Sequence, residues 1–403
     1  MAFVFTGGLS GEVRRCGLNG RVCGVGRRGW MAMSKEGDMG FSRREFLDGV
    51  TAMGLATVPA GAANAAPQIL ERPNWVQVPL DTDSTVFDLS FSEKDPKHGW
   101  LVGTKGLVME TTDGGVTWEP RAFQNLDAEE EFNYRFETIS FFGEEGWVIG
   151  KPPILLRTKD GGKSWTRVSL SPKLPGEPVL VTALGPDEAE MTTTAGAVYR
   201  TTNGGLNWKA LVKETIDATL NRTVSSGVSG ASYFTGSIIS VIRDSIGVYI
   251  AVSSRGNFFL TWAPGQDFWI PHGRDSSRRI QAMGFVANDV KNGIWMSTRG
   301  GGLQLTRPDP DLQSTESFEF GKVDIKSAGY GILDVGFRPG TPDAWATLGG
   351  GNLFYSPDGG KSWARDKTVG KPGANLYKIK FFSSDIGFIL GAGGVLLRYT
   401  GSS

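Results

Sequence analysis

From residue 75 to residue 400 the chain reads as short apolar runs separated by polar, glycine-rich turns. Seven runs share one character. They begin near Val86 (VFDLSF), Phe136 (FETISF), Val179 (VLVTAL), Ile238 (IISVI), Ile280 (IQAMGF), Ile332 (ILDVGF) and Tyr377 (YKIKFF). Runs this short, rich in β-branched and aromatic residues and bounded by Gly, Asp and Asn, predict strands rather than helices. Between them four turns repeat one phrase: Thr111-Thr-Asp113-Gly-Gly-Val-Thr-Trp118, Thr158-Lys-Asp160-Gly-Gly-Lys-Ser-Trp165, Thr201-Thr-Asn203-Gly-Gly-Leu-Asn-Trp208 and Ser356-Pro-Asp358-Gly-Gly-Lys-Ser-Trp363. A self-similar unit of roughly 40–50 residues predicts a propeller or repeat array.

The Trp that closes each phrase marks the outermost strand of a unit. Trp118, Trp165, Trp208 and Trp363 are direct cases. Trp269 follows a degenerate turn, and Phe318 or Phe320 takes the place in the next unit. Asn74-Trp75-Val-Gln-Val78 is an isolated strand ahead of the first full repeat. Seven inner and seven outer strands predict an all-β, seven-bladed β-propeller over about 72–400. The last unit, 376–400, has three strands, so the strand at Trp75 is expected to complete it. That closure removes an exposed sheet edge.

The repeated phrase is the Asp-box. Asp113, Asp160 and Asp358, with Asn203 at the equivalent position, are expected to accept backbone N–H bonds inside their own turns. Gly-Gly supplies the positive φ of the reversal, and each Trp is expected between neighbouring blades. The carboxylates belong to separate blades and have local partners, so a structural role is expected rather than metal or acid–base chemistry.

In a blade whose strands run a to d from axis to rim, the d–a and b–c connections share one face. The a–b and c–d turns share the other, so the Asp-boxes mark the second face. On the first face stand Arg255 and Arg299, in the b–c turns of blades 4 and 5, and Arg274, Arg278 and Arg279, on the connection between those blades. Lys105 holds the b–c position of blade 1. Residues 221–307 contain nine basic residues, eight of them Arg, against four acids, while residues 66–403 hold 34 basic and 37 acidic residues. The cluster is therefore local. Arginine matters because its planar fork binds carboxylates bidentately. Arg278 and Arg279 are adjacent, and in a strand they would point to opposite faces. The neighbouring aromatics Phe258, Phe259, Trp262 and Trp269 are expected in blade packing.

Charge and composition exclude more than they assign. Lys and Arg balance Asp and Glu at 42 each, which gives no general affinity for nucleic acid. The only cysteines are Cys16 and Cys23, and the only histidines are His98 and His272. No metal or cofactor is expected, nor a thiol nucleophile or His base. The acidic run Asp127-Ala-Glu129-Glu130-Glu131 reads as a solvated loop, and the Gly/Ser-rich insert 221–237 as a mobile segment on the arginine face. The glycine runs at 300–302 and 349–351 read as tight b–c turns, since no Gly-Lys-Ser/Thr follows.

The N-terminus is an address. Residues 1–34 carry five arginines against Glu12, as in an organelle transit peptide, taken here as 1–41. Ser42-Arg43-Arg44-Glu45-Phe46-Leu47 then matches a twin-arginine signal, followed by a mild Ala/Gly/Val stretch and the A-x-A site Ala63-Asn64-Ala65. Residues 42–65 are expected to form the second signal, cleaved near Ala65. The two-step leader resembles those of thylakoid-lumen proteins; export to a bacterial periplasm would leave residues 1–34 unexplained.

The strings Ser253-Ser-Arg255-Gly-Asn257-Phe-Phe, Thr261-Trp262-x-Pro264-Gly265-Gln266, Ser277-Arg278-Arg279-Ile280-Gln281-x-Met283-Gly284 and Arg299-Gly-Gly-Gly302 give the chain a family likeness. It resembles the photosystem II stability/assembly factors of plastids and cyanobacteria, and the insert Asn221–Tyr233 resembles the plastid branch. The resemblance covers essentially all of 72–400. It implies a non-enzymatic factor of the thylakoid lumen, peripheral to the membrane, that holds the newly made reaction-centre core subunit and its C-terminal extension during early assembly. By motif it implies partner contact at Arg255, Arg278, Arg279 and Arg299; Arg274 joins them on position alone. Two alternatives remain: a general propeller scaffold, or an Asp-box glycoside hydrolase of sialidase type. The latter needs a Tyr–Glu nucleophile pair, which the sequence does not reveal.

Overall fold

The computed structural model describes residues 74–124, 126, 132–216, 238–254, 256–274 and 277–401. Among them, seven four-stranded antiparallel sheets form the blades of a β-propeller. The inner strands are Val86–Phe91, Arg135–Phe142, Pro178–Gly185, Ile238–Arg243, Ile280–Phe285, Ile332–Phe337 and Leu376–Phe381, for blades 1 to 7 in order. Each begins within a residue or two of the position expected from the apolar pattern. The outer strands start one residue after Trp118, Trp165, Trp208, Trp269 and Trp363, and at Phe320 in blade 5.

Blade 7 is built from both ends of the chain. Trp75–Val78 pairs antiparallel with Leu396–Tyr399, in the register Trp75 opposite Tyr399. The closure is apolar as well as hydrogen-bonded: Trp75 is fully buried and meets Trp345, Phe381 and Tyr399 at ring-centroid distances of 5.4, 5.6 and 5.3 Å.

The core lies between blades. Among the described residues, each of seven buried clusters draws from two adjacent blades. The Asp-box tryptophans reach back to the preceding blade. Trp165 meets Trp100 edge-on at 6.0 Å, Trp208 meets Trp147 at 6.0 Å, and Trp118 meets Phe388 across the closure at 6.3 Å. Trp363 packs with Trp295 and Leu303 of blade 5.

The inner strands leave one backbone edge toward the axis, and unpaired buried amides there would be costly. Side chains of the preceding blade satisfy several of them. Phe141 N–H donates to Ser90 Oγ at 3.1 Å, Ala183 N–H to Ser140 Oγ at 3.0 Å, and Ile379 N–H to Asp334 Oδ2 at 2.7 Å. Ile139 N–H donates to Asp88 Oδ2 at 3.2 Å. The ring is thus stitched blade to blade at its centre.

Candidate functional site

The face that carries the b–c turns and the d–a connections gathers arginines where blades 4 and 5 meet. Three segments far apart in sequence are fastened there by their backbones. Ile280 N–H donates to Gly256 O at 2.8 Å, and Arg299 N–H donates to Arg279 O at 2.9 Å. Arg274 Nη1 donates to Asn257 Oδ1 at 3.1 Å and to Gly256 O at 3.4 Å. Arg278 Nη1 donates to Gly300 O at 3.3 Å. Gly256 has φ of 62°, and a Cβ there would lie 2.3 Å from the Ile280 carbonyl oxygen. Only glycine allows the turn to touch the neighbouring blade so closely.

Arg278, Arg279 and Arg299 are exposed and Arg274 is half-buried. The inner strand of blade 5 begins at Ile280, so Arg278 and Arg279 precede it. The strand alternation that would set them on opposite faces does not apply. Arg255 lies outside the described residues, next to Gly256. Lys105, in the b–c turn of blade 1, is committed to an ion pair with Asp83 at 2.9 Å. Phe259, Trp262 and Trp269 are buried and Phe258 is half-buried; all four pack in the cores that flank blade 4. Arg43, Arg44, Ala65, the acidic run 127–131 and the insert 221–237 also lie outside the described residues.

The opposite face carries the Asp-boxes. Asp113 Oδ1 accepts from Val116 N–H at 2.9 Å and Thr117 N–H at 3.0 Å. Asp160 accepts from Ser164 N–H at 2.9 Å, Asp358 from Lys361 and Ser362 N–H at 3.0 and 2.9 Å, and Asn203 from Asn207 N–H at 2.9 Å. Burial pushes the Asp113 carboxyl up, but hydrogen bonds from Thr117, Thr111 and Val116 outweigh it and hold it at about 2. Each of these side chains spends its acceptors inside its own turn.

A cavity of roughly 1010 Å³ runs along the axis. Its wall includes Asp88, Thr138, Arg243, Asp334, Lys378 and Lys380. The lysines are not free cations: both Nζ atoms donate to Asp88 Oδ1 at 2.9 Å. Asp334 has no such bond. Burial pushes its carboxyl up to about 6, although Ile379 and Val335 N–H bonds and the Lys378 charge pull the other way. In the folded protein this group therefore keeps its proton between about pH 4, where an unfolded Asp titrates, and pH 6. The folded state binds more protons there, so stability falls as pH rises through this window. Asp334→Asn is expected to flatten that fall and to raise stability at pH 7 by about 1–3 kcal/mol. Urea denaturation of both proteins at pH 4, 5, 6 and 7 checks it; parallel curves would show that Asp334 titrates in the folded protein as it does in the unfolded chain.

One constellation was hidden from sequence. Tyr249 Oη donates to Glu190 Oε2 at 2.8 Å, and Arg243 Nε meets the same oxygen at 2.8 Å. This is a Tyr–Glu pair with an arginine, from residues 59 apart on neighbouring blades. It lacks what a nucleophile requires. Tyr249 and Glu190 are buried, and burial, then the Glu190 charge, push the Tyr249 hydroxyl up rather than activating it. His272 is likewise internal: it stacks on Phe259 at 4.6 Å, sits 2.7 Å from Thr261 Oγ1, and burial pushes its imidazole down to about 4. Among the described residues no helix is long and apolar enough to cross a membrane.

Residues 67–400 match the family model described as photosynthesis system II assembly factor YCF48. The photosystem II stability/assembly factor HCF136, chloroplastic, of Cyanidioschyzon merolae is 62% identical over 370 residues, covering 90% of this chain and 84% of the relative. The solved structure of YCF48 from Cyanidioschyzon merolae superposes with a TM-score of 0.77 at 63% identity, over 81% of this chain and 99% of that one. A second structure, YCF48 bound to D1 peptide, gives a TM-score of 0.70 at 41% identity, over 83% of this chain and 99% of that one.

Proposed function

The chain belongs to the YCF48 family of photosystem II assembly factors, and we propose on that premise that it grips D1 through the arginine surface of blades 4 and 5. The proposed role is binding without catalysis, in the thylakoid lumen of a plastid, on newly made D1 and early assembly complexes. One observation carries this reading. The b–c turns of blades 4 and 5 and the connection between them are tied backbone to backbone, and they hold Arg274, Arg278, Arg279 and Arg299 together on one face. Arg255 adjoins Gly256 in the same turn.

The physics fits a carboxylate-bearing segment. Guanidinium forks pair bidentately with carboxylates and are more weakly hydrated than ammonium groups. The relative solved with a D1 peptide supports the choice of partner. The chloroplastic relatives and the two-step leader, with Arg43, Arg44 and Ala65, support the compartment.

The test is binding of a D1 peptide to wild type and to an Arg255/Arg278/Arg279/Arg299→Ala variant, at two salt concentrations. The variant is expected to bind about tenfold to a hundredfold more weakly and to depend less on salt. Equal affinity and equal salt dependence would move the site elsewhere. Asp113→Ala is the control: it should lower stability and leave the affinity of the folded protein unchanged.

A further inference from the structure

Every inner strand carries the same irregularity at the same place. Val86 pairs with Gly103 and Asp88 with Val102, so the residue between has no partner; the same skip follows Phe136, Pro178, Ile238, Ile280, Ile332 and Leu376. Each is a β-bulge, which re-aims the extra residue and is common at the rims of closed sheets. The residues set out of register are Phe87, Glu137, Val179, Ile239, Gln281, Leu333 and Tyr377. All inner strands start on the arginine face, so these seven positions ring the axial opening there.

The ring is mostly apolar, and folding does not require it to be. The residue before each bulge is fully buried. The bulged residues are not: Ile239 is 57% exposed, Tyr377 is 40% exposed, and Phe87, Val179 and Leu333 are half-buried. Glu137 and Gln281 occupy the same position in blades 2 and 5, which shows that a polar side chain fits. Apolar surface kept where polar residues fit marks a contact surface. The apolar arc of Leu333, Tyr377 and Phe87 runs over consecutive blades 6, 7 and 1. It meets the arginines through Tyr330, which is 50% exposed. A Cβ on Gly301 would lie 2.4 Å from the Tyr330 carbonyl oxygen, so Tyr330 abuts the turn that carries Arg299.

We propose that this ring is the second half of the docking surface, taking apolar side chains of an extended peptide whose carboxylate sits on the arginines. It rests on the reading that the arginine face binds D1. The occupant is a D1 segment in which an acidic group stands next to apolar residues. Arginines set its position and on-rate; Tyr330, Leu333 and Tyr377 select its apolar side chains.

Two pairs of measurements test it on the purified protein. A D1 peptide and a version with its apolar residues changed to Ser are titrated against wild type. The D1 peptide is also titrated against Leu333→Ser/Tyr377→Ser and against the four-arginine variant, each of checked fold. The Ser peptide and the Leu333/Tyr377 variant should each weaken binding by about tenfold or more, with the salt slope unchanged. The arginine variant should lower the slope. A Ser peptide that binds wild type as tightly as the parent would overturn the apolar ring and leave the arginine reading standing. An arginine variant that binds like wild type, with the Ser peptide still weak, would overturn the arginine reading and keep the ring.

Discussion

Asp88→Ala is expected to lower the unfolding free energy at pH 7 by about 3–5 kcal/mol, the cost of losing two charge-assisted hydrogen bonds and the acceptor of a buried N–H. Asp88 is 1% exposed. Its carboxylate holds three blades: Lys378 and Lys380 Nζ from blade 7 and Ile139 N–H from blade 2. Burial pushes the Asp88 carboxyl up, but the two lysine charges outweigh it and lower it overall. Burial already pulls the Lys380 ammonium down, with Asp88 opposing that pull. Without Asp88 the opposing pull is gone, so burial lowers the Lys380 ammonium further, although Leu89 O still accepts from it at 2.7 Å. The folded protein then binds fewer protons than the unfolded chain, so stability of the variant should rise with pH. Its deficit against wild type should shrink between pH 7 and pH 10. Denaturation at several pH values reads both effects. A deficit under about 1 kcal/mol at pH 7 would mean that water already carries most of this charge. Asp88→Ala/Lys380→Met should recover part of the loss, because the stranded ammonium is gone.

Trp75→Ala should be as damaging, at about 3–5 kcal/mol, through a different cause. Trp75 is the large side chain of the one strand that joins the two ends of the fold, and it fills a site among Trp345, Phe381 and Tyr399. Its removal leaves a cavity at the seam and weakens the only covalently unsupported strand pairing in blade 7. Val76→Ala is the comparison, since Val76 is 48% exposed and should change stability by less than about 0.5 kcal/mol. If both variants lose equally little, the closing strand contributes through its backbone bonds alone.

Most of the architecture was legible because its causes are local. Blade number and strand starts followed from apolar runs, turn glycines and closing tryptophans, each within a few residues of its cause, and ring closure followed from the strands left over at the two ends. Even the degenerate units fell into place from spacing, at Trp269 directly and in blade 5 as Phe318 or Phe320, between which the structure chose Phe320. The arginine face followed from topology: once strands are named a to d, connections sort themselves onto two faces. The alternation that a strand would impose on Arg278 and Arg279 does not arise, since the strand starts only at Ile280.

The sequence by itself determined which blades exist, in what order, and which residues stand on which face, because strand period, turn chemistry and chain connectivity are written over short distances. Only the tertiary structure decided which charges meet. Asp88 and Lys380 are 292 residues apart, Glu190 and Tyr249 are 59 apart, and nothing local marks them as partners. The seven bulges were equally hidden, because a strand's pairing partner, not its own pattern, shows that a residue has been set out of register. Ring closure brings these groups together, and the low-dielectric spaces between blades then fix their charge states.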